Sequence, residues 1–259
     1  MIMKLELIIE SAQKYVNNSQ KVRVITEKWV SDNMFCPRCG HAEIMHFENN
    51  RPVADFYCPV CKSQYELKSK NGTALNIIND GAYDTMIERI MSLDNPDFLF
   101  MSYNNTSRKV SSLFFVPKHF FTPSIIEKRK PLSPNARRAG WTGCSIKLSD
   151  IPLAGRIPII ENGIIIDKSD ILRSVSVADA LSISDINSRG WLLDIMCCID
   201  LLNKTTFALS DMYLFEDILS KKHPDNHNVR AKIRQQLQIL RNKGIIEFTS
   251  LGEYRRIIK

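Results

Sequence analysis

The alternation of apolar and polar residues divides the chain into two regions of different character. Apolar runs of strand length mark the middle of the chain, at PDFLFMSY, SLFFVPKHF and RIPIIENG. After Ser188, apolar residues recur instead at helical spacing. We therefore predict a mixed α/β region built around buried strands, followed by a mainly helical region. A chain of 259 residues is long enough for two domains with separate cores.

The pattern at the N-terminus favours helices. A first helix is predicted by Leu5, Ile8, Ile9, Ala12 and Val16, which recur at helical spacing. A second helix is predicted over SQKVRVITEKWV, with Ser19 as its N-cap and Trp29 in the core. The other elements predicted for this region are short strands around Val53–Tyr57 and Gln64–Lys68, a helix from about Gly81 to Leu93, a short helix opening at TPSIIEK, and a basic loop over RKPLSPNARRAGWTG.

The C-terminal pattern has the order of a winged helix-turn-helix domain. Residues 162–187 are weakly patterned and are expected to form a linker. Three helices follow, over SRGWLLDIMCCIDLL, ALSDMYLFEDILSKK with Ser210 as its N-cap, and NHNVRAKIRQQLQILRNKG closed by Gly244. The segment IIEFTSLGEYRRII then predicts a β-hairpin. We therefore expect domains at residues 1–180 and 181–259.

Charge placement adds a partner to this picture. The net charge is +7, and it is concentrated in two blocks. Eight Lys/Arg against two Glu lie in 229–259, and seven Lys/Arg against one Glu lie in 117–147. A solvated surface explains most charge runs and is the alternative here, but two separated blocks raise the odds of a polyanion partner, above all nucleic acid. No apolar run has the length of a membrane span, and MIMKLELIIESAQKY lacks a signal-peptide pattern, so we expect a cytoplasmic protein with no membrane partner.

Four of the seven cysteines form two CxxC pairs, separated by eighteen residues. They are Cys36, Cys39, Cys58 and Cys61. This spacing is typical of a tetrahedral zinc site, and four thiolates leave no open position, so the Zn²⁺ would be structural. His41 and His46 could compete as ligands, but the second CxxC makes them unnecessary; four unrelated buried thiols are the alternative.

Three charged residues flank the second CxxC. Asp55 precedes it, and Glu66 and Lys68 follow it with the period of two that places both on one face of a strand. If the knuckle is the turn of a hairpin, Asp55 lies across from Glu66. Two carboxylates can hold Mg²⁺, and a nearby lysine can orient an attacking water. The alternative is a surface Glu–Lys pair beside a structural Asp.

Several longer blocks resemble a known family. HFENNRPVADFYC, ELKSK, INDGAY, RKPLSPNARRAGWTGC, SRGW with a later CID, and IRQQLQILRNKGIIEF are similar to DpnI-like, methyl-directed type II (IIM) restriction endonucleases. The blocks run from about residue 46 to residue 248. One departure is that the proline and aspartate of the PD-(D/E)xK motif are spread over 52–55 as PVAD.

The resemblance implies a PD-(D/E)xK restriction-endonuclease-like core of α/β (α+β) class with an embedded four-cysteine zinc site at about 36–61, followed by a winged-helix domain. It implies cleavage of double-stranded DNA at GATC sites carrying N6-methyladenine, with Mg²⁺ or Mn²⁺. Carried onto this sequence, Asp55, Glu66 and Lys68 are catalytic, and Asp55 and Glu66 hold the catalytic Mg²⁺. The same resemblance assigns Cys36, Cys39, Cys58 and Cys61 to structural Zn²⁺.

Candidate DNA contacts lie in both basic blocks. In the loop, Arg137 and Arg138 can reach phosphates or guanine edges, and Trp141 forms either a wall for a methyl group or an anchor of the loop. Trp191 either lines a second methyl pocket or packs. The third C-terminal helix is expected in the major groove. Its candidate contacts, with those of the hairpin, are Asn228, Arg230, Lys232, Arg234, Gln235, Arg255 and Arg256.

Two other functions fit the same residues. The first is a zinc-containing winged-helix regulator with an inactive nuclease fold, against which the intact Asp55, Glu66 and Lys68 set argues. The second is a nuclease that acts on another modified or structured DNA. No dimerisation stripe stands out along the helices, so we expect a monomer.

Overall fold

The computed structural model describes residues 3–48, 54–72, 75–92 and 95–257. Helices within these ranges are α1 (Asn18–Asn33), α2 (Tyr83–Met91), α3 (Lys168–Ala180), α4 (Ile186–Leu202), α5 (Leu209–Tyr213), α6 (Glu216–Lys222) and α7 (Val229–Asn242). Strands are β1 (Met45–His46), β2 (Phe56–Tyr57), β3 (Gln64–Asn71), β4 (Ile77–Ala82), β5 (Asp97–Asn104), β6 (Lys109–Val116), β7 (Ile126–Lys128), β8 (Gly143–Lys147), β9 (Ile157–Glu161), β10 (Ile164–Ile165), β11 (Thr206–Ala208), β12 (Ile246–Ser250) and β13 (Glu253–Arg256). The fold is therefore mixed α/β.

A seven-stranded sheet in the order β1-β2-β3-β5-β6-β9-β10 forms the centre of the first region. Strands β3 and β5 run parallel, and the crossover between them contains β4 and α2. Strand β5 is buried along its first seven residues because it is covered on both faces, which explains its unbroken apolar run. A stack of Phe98, Phe100 and Phe121 fills one side of this core.

A second sheet, of order β4-β8-β7, carries the basic loop between its strands β7 and β8. Strand β4 packs close to β3, so this sheet approaches one face of the central sheet. The predicted strands at PDFLFMSY, SLFFVPKHF and RIPIIENG are confirmed as β5, β6 and β9. The predicted strand around 53–57 corresponds to β2, and its first residue, Val53, lies outside the described residues. The predicted helix from about Gly81 to Leu93 corresponds to α2, and Leu93 also lies outside the described residues.

The C-terminal region is a helix-turn-helix domain with a wing. Helices α4 to α7 pack together, and β12 and β13 form the predicted hairpin, which β11 extends to three strands. Gly244 lies just after α7 with a φ of +72°, and its N–H and that of Ile245 close the helix. At the junction with the first region, Asp200 of α4 accepts a hydrogen bond from the N–H of Leu153 at 2.8 Å.

Three predictions from the hydrophobic pattern are wrong. The first predicted helix is only a 3₁₀ turn at Glu10–Ala12, because the segment before it pairs with the start of β6 through an isolated bridge between Glu6 and Lys109. The predicted linker 162–187 contains β10 and α3. The second helix of the C-terminal domain is divided into α5 and α6.

Two predicted N-caps are also displaced. Helix α1 is capped by Asn17, whose side chain accepts from the N–H of Ser19, rather than by Ser19 itself. Helix α5 begins before Ser210, and Asp211 accepts from the N–H of Ala208. Among the described residues, no helix has the length and apolar character needed to cross a membrane.

Candidate active site and cysteine cluster

The four cysteines of the two CxxC pairs converge as predicted. Their sulfur atoms all lie within 4.8 Å of one another, with Cys36 to Cys61 at 3.5 Å and Cys39 to Cys58 at 3.6 Å. Each knuckle closes with a backbone hydrogen bond, from the N–H of Gly40 to the carbonyl of Cys36 and from that of Lys62 to Cys58. The cluster could therefore hold Zn²⁺ with four thiolates.

One of the histidines considered as a ligand lies away from the cysteine cluster, and a tyrosine hydroxyl lies beside one of its sulfur atoms. His46 lies elsewhere, with its Nε2 3.1 Å from Glu27, and is therefore not a ligand of this cluster. The hydroxyl of Tyr65 lies 3.0 Å from the sulfur of Cys36. Burial raises the pKa of the Cys36 thiol, and this hydroxyl opposes the rise because it stabilises a thiolate.

The hairpin of β2 and β3, which turns at the second knuckle (Cys58–Cys61), brings two carboxylates together. The register pairs Phe56 with Tyr65, so one step further along the strands places Asp55 beside Glu66. The carboxylate of Asp55 accepts a hydrogen bond from the N–H of Leu67 at 2.8 Å. In this way the zinc-type knuckle acts as the turn that sets the spacing of the acids, as the sequence spacing predicts.

Lys68 forms ion pairs with two acids, and only one of them, Glu66, was among the predicted site residues. Its ammonium is 2.6 Å from Glu66 and also contacts Asp80 of β4 in a short ion pair. Burial alone lowers the pKa of Lys68, but the negative charges of Glu66 and Asp80 raise it above the ordinary lysine value. Lys68 is therefore held as a cation in a partly buried site.

Asp80 is a member of this cluster that sequence reasoning missed. Its side chain is 9% exposed, and one carboxylate oxygen accepts from the N–H of Gly81 at 2.7 Å. Nothing in the spacing of INDGAY links Asp80 to Glu66 or Lys68, because the contact depends on how β4 crosses the central sheet. The only sequence signal for Asp80 is its place in INDGAY, one of the blocks that resemble the restriction-endonuclease family.

Two arginines complete the charge balance around the acids. Arg89 of α2 lies 2.9 Å from Glu66, and Arg23 of α1 lies 3.9 Å from Asp55 and 2.5 Å from Glu27. Burial raises the pKa of Asp55, and the nearby negative charge of Glu27 raises it further, although the Leu67 N–H opposes both. The acids of the site therefore lie among cationic side chains that offset their negative charge.

The donor set fits a hard divalent cation. Asp55, Glu66 and Asp80 offer carboxylate oxygens, the ligand type that Mg²⁺ prefers. The second oxygen of Asp80 is buried and has no hydrogen-bond partner within the described part of the chain. Asp55 and Glu66 are the acids that would hold such a cation, and it would supply polarisation of a phosphoryl oxygen.

The basic loop extends from the second sheet, between β7 and β8. The side chains of Arg137 and Arg138 are exposed, and the guanidinium of Arg138 lies 4.8 Å from the ring centre of Trp141. The Trp141 ring is half-buried and packs against Gly143, where an added Cβ would come within 2.9 Å of it. These contacts favour an anchoring role and leave part of the ring accessible.

The predicted contacts of the C-terminal domain occupy different environments. Asn228, Arg234 and Gln235 are exposed, and Lys232 is half-buried. Arg234 donates to the hydroxyl of Tyr213 at 2.7 Å. Other candidates already have acidic partners: Arg230 pairs with Glu216, Arg255 with Glu247 in a short contact, and Arg256 with Asp200 at 2.7 Å.

Trp191 lies in the interior of the C-terminal domain. It is 6% exposed and stacks on the ring of His223 at a centroid distance of 3.9 Å. His223 and Lys222 both pair with the buried carboxylate of Asp194. This environment favours the packing alternative for Trp191. Trp29 is buried in the core of the first region, as predicted.

An acid–acid–lysine cluster on a mixed sheet, followed by a winged helix-turn-helix domain of the kind that binds DNA, fits a nuclease that acts on DNA. Comparison with protein families places it more closely. A family model described as DpnI, the Dam-replacing family, matches residues 3–184, and a model described as DpnI_C, the Dam-replacing HTH domain, matches residues 187–256. The chain belongs to the Dam-replacing family. This membership supports a methylation-dependent restriction endonuclease with a C-terminal DNA-binding domain.

Proposed function

We propose that this protein is a type II endonuclease that cleaves double-stranded DNA at GATC sites carrying N6-methyladenine. The observation that carries the proposal is the convergence of Asp55, Glu66 and Lys68 at the cysteine-stapled hairpin. The family membership and the helix-turn-helix domain support a DNA substrate. The protein would act as a monomer, with the first domain cutting and both domains contacting the duplex.

The chemistry assigned to the residues is phosphodiester hydrolysis. Asp55 and Glu66 would hold Mg²⁺ or Mn²⁺, which supplies Lewis-acid polarisation of the phosphoryl group. Lys68, held as an ammonium, would orient the attacking water and offset the negative charge that develops on the phosphate. The side chain of Asp55 is fixed by the Leu67 N–H, so the site would be organised before DNA arrives.

Recognition of the methyl group rests on burial of a small apolar surface in the major groove. One buried carbon contributes only about 0.8 kcal/mol, so a single pocket discriminates weakly. Two pockets on one duplex would compound the effect, which gives a reason for two DNA-reading regions in one chain. In the first domain, we assign the wall of the methyl pocket to Trp141, which has an accessible edge and has Arg137 and Arg138 as neighbours.

The second reading region is the helix-turn-helix domain. Helix α7 presents Arg234 and Gln235 on its exposed side, and the exposed Asn228 lies at its N-cap position; all three would reach base edges. Lys232, Arg230 and Arg255 would contact phosphates, which set affinity and its salt dependence. Arg256 is the exception, because its ion pair with Asp200 gives it a structural role.

The test uses one plasmid prepared in two forms, with and without adenine methylation at GATC. Wild type, Asp55→Ala and Glu88→Gln are incubated with each form and Mg²⁺; Glu88 is an exposed acid of α2 and serves as the control. Cleavage of the methylated form alone, lost in Asp55→Ala and kept in Glu88→Gln, is the expected result. Cleavage of both forms would contradict the methyl requirement, and binding without cleavage would favour a regulator.

A further inference from the structure

Asp80 reaches the candidate active site from a different sheet than Glu66 and Lys68 do. It lies on β4, where it pairs with Cys144 of β8, and a bulge between Asp80 and Ala82 interrupts the ladder directly after it. The N–H of Gly81, the bulge residue, donates to the carboxylate oxygen that also contacts Lys68. The local backbone therefore fixes this carboxylate independently of its ion pair.

The two acids around Lys68 are not equivalent. Glu66 is next to Asp55 in the hairpin register, and it is one of the two acids assigned to the divalent cation. A dication on Glu66 would weaken its attraction for the Lys68 ammonium, because like charges would then lie within a few ångströms. Asp80 is a second anion in contact with the lysine, and it is not one of the two acids assigned to the metal.

The burial of Lys68 makes that second anion necessary. The lysine side chain is only 17% exposed, so an ammonium there needs a fixed counter-charge. The remaining oxygen of Asp80 is buried with no hydrogen-bond partner among the described residues, which leaves Lys68 and Gly81 as the groups that hold this carboxylate.

We propose that Asp80 is a positioning residue for DNA cleavage, which holds the Lys68 ammonium in place independently of Glu66, the acid that would hold the catalytic metal. The inference rests on the nuclease function proposed above. It assigns Asp80 no contact with DNA or with reacting atoms. Asp80 acts through Lys68 alone, so its removal should slow cleavage and leave DNA binding and metal binding nearly unchanged.

The experiment compares full-length wild type, Asp80→Asn, Asp80→Glu, Lys68→Met and the double variant Asp80→Asn/Lys68→Met on a methylated GATC duplex. Asp84→Asn, an exposed aspartate four residues further along, is the matched control. Rate constants and KM are measured with Mg²⁺, and Mn²⁺ affinity is measured by electron paramagnetic resonance without DNA. Thermal unfolding of each variant checks the fold.

We expect Asp80→Asn to lower the cleavage rate by about 100-fold, the scale of a misplaced catalytic group, with KM changed by no more than about twofold. Asp80→Glu, which restores the charge, should recover part of that loss. In the Lys68→Met background the same Asp80→Asn change should cost no more than about twofold, because residues that act as a unit are not additive. Mn²⁺ affinity and Asp84→Asn should match wild type.

Four results would overturn the inference. The first is cleavage at the wild-type rate by Asp80→Asn, and the second is an undiminished Asp80→Asn effect in the Lys68→Met background. The third is loss of Mn²⁺ binding in Asp80→Asn, which would make Asp80 a metal ligand. The fourth is a parallel loss of cleavage rate and thermal stability in both Asp80 variants, which would make the role of Asp80 structural. Failure of the wild-type protein to cut any methylated duplex would instead contradict the proposed function, so the two failures are distinguishable.

Discussion

Tyr65 and Glu66 are consecutive residues of β3 that contact two different centres. The hydroxyl of Tyr65 lies 3.0 Å from the sulfur of Cys36, and the carboxylate of Glu66 lies 2.6 Å from the ammonium of Lys68. Neighbouring side chains of a strand point to opposite faces, so one strand lies between the cysteine cluster and the acid–lysine site. The position of the acids is therefore coupled to the integrity of the cysteine cluster.

Tyr65→Phe should weaken Zn²⁺ binding while preserving the fold. The substitution removes the hydroxyl beside Cys36 but keeps the buried ring, and loss of such an outer hydrogen bond typically costs about 10–100-fold in metal affinity. Competition with a chromophoric chelator measures the affinity, and the absorption spectrum of the Co²⁺-loaded protein reports the thiolate environment.

Tyr57→Phe is the matched control, because the Tyr57 hydroxyl contacts only the sulfur of Met45, at 3.6 Å, among the described residues. Equal affinities for wild type and Tyr65→Phe would show that the hydroxyl does not support the cluster.

Lys68→Met should destabilise the protein in Mg²⁺-free buffer. The change leaves Glu66 and Asp80 as buried carboxylates without the cation between them, and breaking such a pair costs on the order of 3 kcal/mol. Added Mg²⁺ should restore part of the loss, because a ligand that binds only the folded state stabilises it. Urea unfolding with and without Mg²⁺ measures both effects.

Lys70→Met provides the control on the same strand, since Lys70 is exposed and, within the described part of the chain, donates only to the carbonyl of Ile77. A Lys68→Met protein as stable as wild type without Mg²⁺ would contradict the charge balance described for the site.

Arg256 and Lys232 should respond differently to neutralisation. Arg256→Gln removes the ion pair with Asp200, in which both side chains are less than one fifth exposed, and should destabilise the protein by about 1.5–3 kcal/mol. Lys232→Gln should instead reduce the slope of log Kd against log salt by about 1, the effect of one lost phosphate contact. Thermal unfolding and DNA titrations over a range of salt concentrations separate the two. A smaller slope of log Kd against log salt in Arg256→Gln would show that Arg256 contacts DNA.

His119 should make the protein less stable at mildly acidic pH. Burial lowers the pKa of His119, although its ring Nε2 bonds to the carbonyl of Ala178 at 2.8 Å. The unfolded chain therefore binds more protons than the folded protein once the pH falls below about 6.5, and stability declines from there; above that pH the neutral ring costs nothing.

His119→Gln keeps a donor for Ala178 but does not titrate, so it should lose less stability than wild type between about pH 7.5 and about pH 5.5. The exposed His227→Gln is the control, and unfolding temperatures at each pH are the measurement. Equal pH dependence in wild type and His119→Gln would show that His119 titrates as an exposed histidine.

The sequence predicted those parts of the site that lie close together along the chain. The CxxC spacing and the period of two placed Glu66 and Lys68 on one strand, and the knuckle placed Asp55 across from them. Asp80 and Arg89 could not be predicted in this way, because they reach the site through the crossing of β4 and the packing of α2. Their contacts depend on tertiary geometry rather than on spacing.

Errors in the fold have the same origin. The helical spacing from Leu5 to Val16 is real, but backbone hydrogen bonds between residues 5–7 and residues 108–110 take precedence over it. The region 162–187 appeared unpatterned because α3 buries only Ile171, Val175 and Ala178 on one narrow face. Local preference was overridden in the first case and too weak to read in the second.

The alternation of faces along β3 makes this strand intolerant of changes in length. Tyr65, Glu66, Leu67 and Lys68 are four successive residues that each make a specific contact, with Cys36, Arg89, Asp55 and Asp80 among their partners. Insertion or deletion of a single residue between the second knuckle and Tyr65 would turn each side chain to the opposite face. A one-codon frame-preserving indel at this point would thus disable the cysteine cluster and the acid–lysine site together, whereas substitutions can affect them one at a time.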